Sequence, residues 1–479
     1  MMSAKRYWIV AAIGVSLLGG CSLAPEYHVP TVNVQTDAWK DEPWHVAKPA
    51  DNLPHGDWWT VYGDQTLNEL ESRIEKANPS LAAALASYDQ ATAYTNQLRA
   101  GLYPTVDAGA NLTRNRQSDT RPLRGANLPD TYSANTVGIG ANYELDVWGR
   151  VRNLVAAGQA AAQASAADLE SVRLSLHVQL ADSYVRLRGV DARAKLLDDT
   201  VSAYSRALTL TQNRHDGGIA SGLDVARAET QLRTVRAQAA ELASERAQYE
   251  HAIASLVGEP AMSFSLPVIA NDLAVPEIPI GMPSALLQRR PDIAAAERRT
   301  AAANATIGVA RAAYYPDLSI GAAIGYQSTV LGSLLAAPST FWTLGPGMIF
   351  NLFDAGLRDA QVAQARAALE QTGSEYRATV LAAFQQVEDD LSRLKFDHEG
   401  ELEQDAAVKS ATKTLTLAFN RYREGAVNYL EVVTAQAAAL AAQNSALELH
   451  TRQVRTSVDL IRALGGGWDS TQDKLSQAQ

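Results

Sequence analysis

The chain has 479 residues and a formal net charge of −10, with 47% hydrophobic and 20% charged residues and a mean hydropathy of −0.15. So long a chain exceeds one ordinary compact core, and its acidic balance argues against a nucleic-acid partner, since readers of nucleic acids carry basic patches. After residue 20 no stretch approaches the roughly 20 apolar residues that a membrane-spanning helix needs.

The first 20 residues carry a basic start at Lys5 and Arg6, an apolar run from Tyr7 to Leu18, and then Gly19-Gly20 before Cys21. A short apolar core behind a basic start reads as an export signal rather than a spanning helix. Cys21 is the only cysteine, so it forms no disulfide within the chain. The small residues before it fit a lipobox, in which Cys21 becomes the acylated first residue of the mature protein. That covalent lipid is the only bound group expected. Several acyl chains on one residue anchor stably where a single chain binds marginally. Ser22 stands where an Asp would retain a lipoprotein in the inner membrane, which points to the outer membrane.

Residues 21–65 read as an extended leader, because Pro25, Pro30, Pro43, Pro49 and Pro54 interrupt any regular element. His28, His45 and His55 within it match no metal-ligand spacing.

From there the chain duplicates itself. Ala77-Asn78-Pro79-Ser80-Leu81 corresponds to Arg289-Arg290-Pro291-Asp292-Ile293, and Arg99 to Pro104 corresponds to Arg311 to Pro316 at the same offset of 212. Asn213-Arg214 and Leu223-Asp224-Val225 meet Asn420-Arg421 and Leu430-Glu431-Val432 at an offset of 207. The expected organisation is a first repeat over 66–270, a second over 271–465 and a tail over 466–479. Each repeat reads as a helix, two strands and then long helices.

The strands are expected at about 103–113, 134–146, 315–326 and 341–353, where apolar and small or polar residues alternate. Such a sheet in water buries its apolar face on a core, whereas a membrane barrel turns that face to lipid and the polar one to a watery lumen. In the barrel reading Asp107, Glu144, Asp146 and Asp317 line the lumen, and Tyr103, Tyr143, Trp148, Tyr315 and Phe353 sit at strand ends where interfacial aromatics are useful. In the other reading the same carboxylates are the solvated face of an ordinary sheet.

Helical stretches are expected over 151–188, 191–257, 355–396 and 401–464, with breaks at Gly217-Gly218 and Gly425. These glycines read as helix breaks rather than a phosphate nest, since no lysine follows in Walker spacing. From Leu430 to Ile461 the positions 430, 433, 437, 440, 444, 447, 451, 454, 458 and 461 form a seam spaced 3 and 4. Val225 to Leu256 does the same, with Arg246 the one charged exception. Helices this long must pack side by side.

Four strands cannot close a barrel, and an open sheet edge in lipid is prohibitive. Subunits must then share the barrel. Two chains give eight strands, which side chains fill; three give twelve and begin to leave a lumen. A duct therefore favours a homotrimer.

The Cys21 lipobox, Arg289-Arg290-Pro291-Asp292, the paired Tyr-Pro strand starts, Leu145 to Arg150, Asn351 to Gly356 and the Gly-rich break before Leu223 to Glu229 together resemble the outer membrane factor (TolC-like) family, in its lipoprotein NodT- and OprM-like branch. The likeness covers essentially the whole mature chain; Trp148 stands where the family often has Phe. The resemblance implies a mainly α fold with a membrane β-barrel: a trimer with a twelve-stranded barrel continued by a twelve-helix periplasmic barrel. It implies an efflux exit duct among outer-membrane lipids, fed by a periplasmic adaptor and an inner-membrane transporter of the resistance-nodulation-division or major facilitator type. In that family a carboxylate ring at the periplasmic constriction helps to keep the entrance shut. The match in Gln386-Val387-Glu388-Asp389-Asp390-Leu391, just before an expected turn from helix 355–396 into helix 401–424, points to Asp389, then Asp390 and Glu388.

No catalytic constellation is present: no Walker loop, no paired cysteines, no His-Glu-x-x-His and no Gly-x-Ser-x-Gly, so an enzyme is not expected. His177, His215, His251, His398 and His450 are scattered and read as surface or packing residues. The alternatives are a protein-secretion duct of the same fold, or a non-channel adaptor or scaffold lipoprotein. Adaptors usually have one helical hairpin rather than duplicated strand pairs. Past the signal only Met262, Met282 and Met348 offer thioethers, little support for a soft-metal cargo.

Overall fold

The computed structural model describes residues 22–32, 57–118, 130–270, 273–276, 278 and 289–466. Cys21, the signal segment, most of the leader and the tail beyond 466 lie outside the described residues. The described residues form two compact units interleaved along the chain: those within 1–30, 88–165 and 296–376 form the first, and those within 31–87, 166–295 and 377–479 the second. The elements in chain order are α1 (Gln65–Ala77), α2 (Pro79–Ala100), β1 (Thr105–Arg116), β2 (Thr131–Glu144), α3 (Arg150–Asp216), α4 (Gly222–Leu256), α5 (Pro291–Ala312), β3 (Asp317–Ser328), β4 (Thr340–Ile349), α6 (Leu357–Arg423) and α7 (Tyr429–Ala463). Among the described residues no helix is long and apolar enough to cross a membrane.

The first unit contains the only sheet among the described residues, an antiparallel one with the order β1-β2-β3-β4. Its central pair joins the two halves of the chain, Tyr143 lying opposite Ile320 and Ile139 opposite Ile324. β1 and β3 begin only after Pro104 and Pro316, because a proline closes the turn before it and donates nothing to the ladder. β2 ends at Glu144 because the next carboxylate, Asp146, is taken up by a helix start: it accepts from the backbone N–H groups of Val151 and Arg152, both at 2.9 Å.

The second unit is helical. Val190, Leu197 and Tyr204 of α3 pack against Leu232, Val235 and Leu242 of α4, so the expected α4 seam is buried. Its charged exception, Arg246, is explained by Asp191. That carboxylate is fully buried and accepts from Arg246 Nε at 2.7 Å, Arg188 at 3.0 Å and the Ile269 N–H at 3.2 Å. Arg246 and Arg188 also donate to the carbonyls of Leu266 and Pro267, fastening the segment after α4 onto the helix pair. In the first half of α7 the buried stripe is Tyr429, Val432, Gln436 and Ala439, one residue displaced from the expected seam, and Leu430 stays 46% exposed.

Two expected helix boundaries are corrected. α3 runs unbroken through residues 189–190, and α6 through 397–400. An isolated glycine costs a helix only about 1 kcal/mol. At Gly189 the missing side chain lets α7 approach, since a Cβ there would lie 2.5 Å from Thr451 Oγ1. The real breaks are at Gly217-Gly218 and Gly425, where Gly218 and Gly425 take φ of 74° and 80°. Gly217 precedes the left-handed residue and keeps an ordinary φ.

Candidate functional site

Strand register sorts the sheet into two chemically different faces. On one, Val106, Ala141, Ala322 and Leu344 form a cross-strand row, and Ala108, Ile139, Ile324 and Trp342 form the next. This apolar face is open: Ile139 is 53% exposed, Ile324 64%, Leu344 68% and Trp342 75%. On the other face Asp107, Gly140, Ala323 and Thr343 share a row, and Thr105, Asn142, Gly321 and Gly345 the next. Small side chains there leave an open hollow lined by Asp107, Asn142, Ser319 and Thr343 with glycines between them. A water-borne sheet would cover its apolar face. Burying each large apolar side chain in hydrocarbon recovers about 1.5–3 kcal/mol.

The four lumen candidates do not act alike. Asp107, Glu144 and Asp317 belong to the polar face by register. Glu144 accepts from Arg150 Nε at 2.8 Å. Asp146 lies past the strand, where it caps α3 and also accepts from Arg152 Nε at 3.2 Å, so its place in the lumen set is corrected. Beside it Trp148 stacks on Tyr315 with ring centroids 4.6 Å apart and donates to the Pro316 carbonyl at 2.9 Å. Tyr103 and Phe353 are 70% and 83% exposed at the same ends of the strands.

The described part of the leader docks in the first unit as a strap. Ser22 donates to Asn153 at 2.9 Å, Arg311 to the Leu23 carbonyl at 3.1 Å, Asn304 to the Pro25 carbonyl at 2.8 Å, and Tyr27 to Glu297 at 2.5 Å. Ser22 therefore meets the first turn of α3, close to the ends of the strands. Gly308 makes room, since a Cβ on it would lie 2.8 Å from Ala24.

In the second unit the two helix turns of the repeats come together. Arg214 donates to the Arg423 carbonyl at 2.9 Å and lies 4.8 Å over the Tyr422 ring, which meets Tyr429 edge-on at 5.1 Å. Ser221 and Asp224 form a capping box on α4, and Asn428 caps α7. Glu431 pairs with Arg421 at 3.6 Å. Ile219, Leu223 and Leu430 are exposed around these turns.

The expected carboxylate gate is not at a turn. Glu388, Asp389 and Asp390 lie in the interior of α6, about nine helical turns before its end at Arg423. Asp390 is buried, so its carboxyl is pushed up to about 7, with Asp459 adding to the rise and Arg393, at 3.3 Å, opposing it. Asp389 accepts from Gln385 at 3.4 Å, and Glu388 has an interaction of its own. The expected turn at 397–400 does not exist, and with it goes the assignment of these three residues to a constriction there. The carboxylates at the actual turns are Asp216 and Glu424, with Asp224 and Glu431 in the first turns of the helices that follow. Asp224 and Glu431 were legible as the second block of the internal repeat, Leu223-Asp224-Val225 and Leu430-Glu431-Val432.

A second buried site was not anticipated. Glu71 of α1 is fully buried, with its Oε2 at 2.7 Å from His177 Nδ1, while His177 Nε2 lies 3.1 Å from Glu75 and the ring stacks on Trp59 at 4.4 Å. Burial raises the Glu71 carboxyl to about 7, the His177 bond opposing. Burial alone would lower His177, but the two carboxylates outweigh it and the imidazole is raised. Arg173 closes the cluster, 3.0 Å from Glu75.

Comparison with known proteins agrees with this geometry. The sequence profile described as outer membrane efflux protein matches residues 70–259 and 282–466, one stretch in each half of the chain. The chain belongs to the outer membrane efflux protein family. It is similar to the toluene efflux pump outer membrane protein TtgC of Pseudomonas putida, 32% identical with 95% of each chain covered. It is also similar to the outer membrane protein OprJ of Pseudomonas aeruginosa, 31% identical over 96% of each. Among solved structures, the outer-membrane channel OprN superposes with a TM-score of 0.86 at 28% identity, over 94% of this chain and all of that one. The chain is thus an outer-membrane efflux protein with the fold of the outer-membrane channels, which sets aside the adaptor and scaffold alternatives.

Proposed function

We propose that this efflux channel works as a homotrimer, anchored by lipid on Cys21, that conducts cargo passively from an inner-membrane transporter delivered through a periplasmic adaptor. The observation that carries the reading is a four-stranded sheet with an exposed apolar face and, among the described residues, two open edges, β1 and β4. Unpaired edges are not tolerated in lipid, four strands are too few to close, and twelve leave a lumen. The described part of the leader supports the anchor: Ser22 docks near the strand ends and the Trp148–Tyr315 stack, the level at which a membrane interface would lie. The exposed Ile219, Leu223 and Leu430 at the paired turns offer an apolar surface for the adaptor. The transporter is of the resistance-nodulation-division or major facilitator class. The relative named for toluene export suggests a small organic cargo. Met348 shares a row with Leu318 on the apolar face, away from the polar lining, which fits no thioether path for soft metals.

Light scattering of detergent-extracted protein tests the assembly, three chains per particle being expected. Cells given a palmitate analogue should label the wild type and not Cys21→Ser. A stable monomer with an intact sheet would overturn the shared barrel.

A further inference from the structure

The outward face of β1 changes character along its length. Val106, Ala108, Ala110 and Leu112 alternate onto the apolar side, and Arg114 and Arg116 continue the same alternation. Both arginines are exposed. Their cross-strand neighbours are Ser133 and Thr131, so the four positions past the apolar band present guanidiniums and hydroxyls and no carboxylate. The corresponding ends of the other strands differ: Asn135, Ser328 and Thr340 are uncharged. Among the described residues no carboxylate pairs with Arg114, whereas Arg116 has an interaction of its own.

Position gives this pair its meaning. The helices attach at the Thr105 and Glu144 ends of the hairpin, so Arg116 and Thr131 are at the end away from them. With the helices on the periplasmic side, that end reaches the outer leaflet. A lipid-facing arginine costs about 2–4 kcal/mol at the bilayer midplane and about 0–1 kcal/mol near the interface. An arginine one step beyond the last apolar residue is therefore tolerated at the depth of lipid headgroups. Two residues of strand separate the two Cα atoms by about 7 Å, so the Arg114 fork reaches a phosphate whose charge the nearby Arg116 guanidinium also attracts. A planar guanidinium binds phosphate through two parallel hydrogen bonds, which an ammonium cannot reproduce.

We propose that Arg114, assisted by Arg116, binds the phosphate groups of phosphorylated glycolipid headgroups in the outer leaflet. This rests on the outer-membrane reading of the sheet. The test is to extract wild type, Arg114→Lys and the double variant Arg114→Gln/Arg116→Gln from outer membranes in mild detergent. Phosphorylated glycolipid retained per chain is measured by mass spectrometry, and planar-bilayer conductance checks the fold. The double variant should lose about tenfold, the effect of one or more charge-assisted hydrogen bonds, with conductance unchanged, and the lysine variant should fall between. Washing with excess inorganic phosphate should leave the wild-type glycolipid in place. Unchanged retention in the double variant overturns the proposal, and release by inorganic phosphate overturns it in favour of a free-anion site. Recovery of the wild type from the inner membrane would overturn the outer-membrane reading and this proposal with it. An outer-membrane protein with unchanged retention overturns this proposal alone.

Discussion

Reversing one residue on each face of the sheet separates a lipid-facing from a packed apolar surface. Ile324 lies in a central row between Ile139 and Trp342, and all three are more than half exposed. If that face meets hydrocarbon, Ile324→Arg places a guanidinium near the bilayer midplane at about 2–4 kcal/mol per chain. Loss of the isoleucine's own burial adds up to about 1.5–3 kcal/mol. At about 1.4 kcal/mol per factor of ten, the folding equilibrium constant should fall by at least one to three decades. Ala323→Arg, one residue away, enters the row of Asp107 and Thr343 on the polar face. A solvated substitution changes stability by only about 0.5 kcal/mol, but an added positive charge should lower cation conductance. Urea-dependent refolding into lipid vesicles measures the first quantity and planar-bilayer currents the second. Normal refolding of Ile324→Arg together with failure of Ala323→Arg would refute the argument, because the faces would then be reversed.

Three further outcomes follow from the second unit and the strap. Asp191→Ala should leave Arg188 and Arg246 without their buried partner, costing about 3–5 kcal/mol, and should speed hydrogen exchange of residues 264–270; unchanged exchange there would mean the ion cluster holds nothing down. Because the folded Glu71 carboxyl is raised to about 7, its contribution favours the fold most below its unfolded range and is lost as pH climbs towards 7. His177, also raised, keeps its contribution below about 6.5 and loses it as pH rises through its folded value. Melting temperature should accordingly decline from pH 5 to 8.5, and Glu71→Gln should flatten the lower part of that slope; an identical slope in the variant would remove Glu71 as its source. Gly308→Val should push the strap off α5 through contact with Ala24 and Asn153, seen as faster chymotryptic cleavage at Tyr27, and equal cleavage rates would show that the strap does not depend on that notch.

Several features follow from local chemistry and were legible in the chain alone. Alternation over residues 105–116 and 317–328 separates apolar from polar side chains on any extended backbone, because the side-chain period of a strand is two. The breaks at Gly218 and Gly425 follow from the ease with which glycine takes positive φ, and the α4 seam from the helical period. The duplicated blocks further placed Asp224 and Glu431 in equivalent positions.

What the tertiary structure decided is which of two chemically similar choices each residue makes. Gly189 and Gly218 look alike in sequence, yet one admits Thr451 inside a continuous helix and the other ends a helix, because close approach of a neighbour is a property of the neighbour. Asp146 and Glu144 both fit a polar strand face, and only the start of α3 shows that Asp146 is consumed as its cap. The carboxylates at 388–390 read as lying near a turn until α6 proved unbroken, since an isolated glycine is too small a penalty to stop a helix held by packing. Arg246 looked like a flaw in a seam because its partner, Asp191, is 55 residues away in sequence and at 2.7 Å in space. Local periodicity determines what each segment is able to form; partners distant in sequence decide which helix continues, which charge is buried and which apolar face is left open.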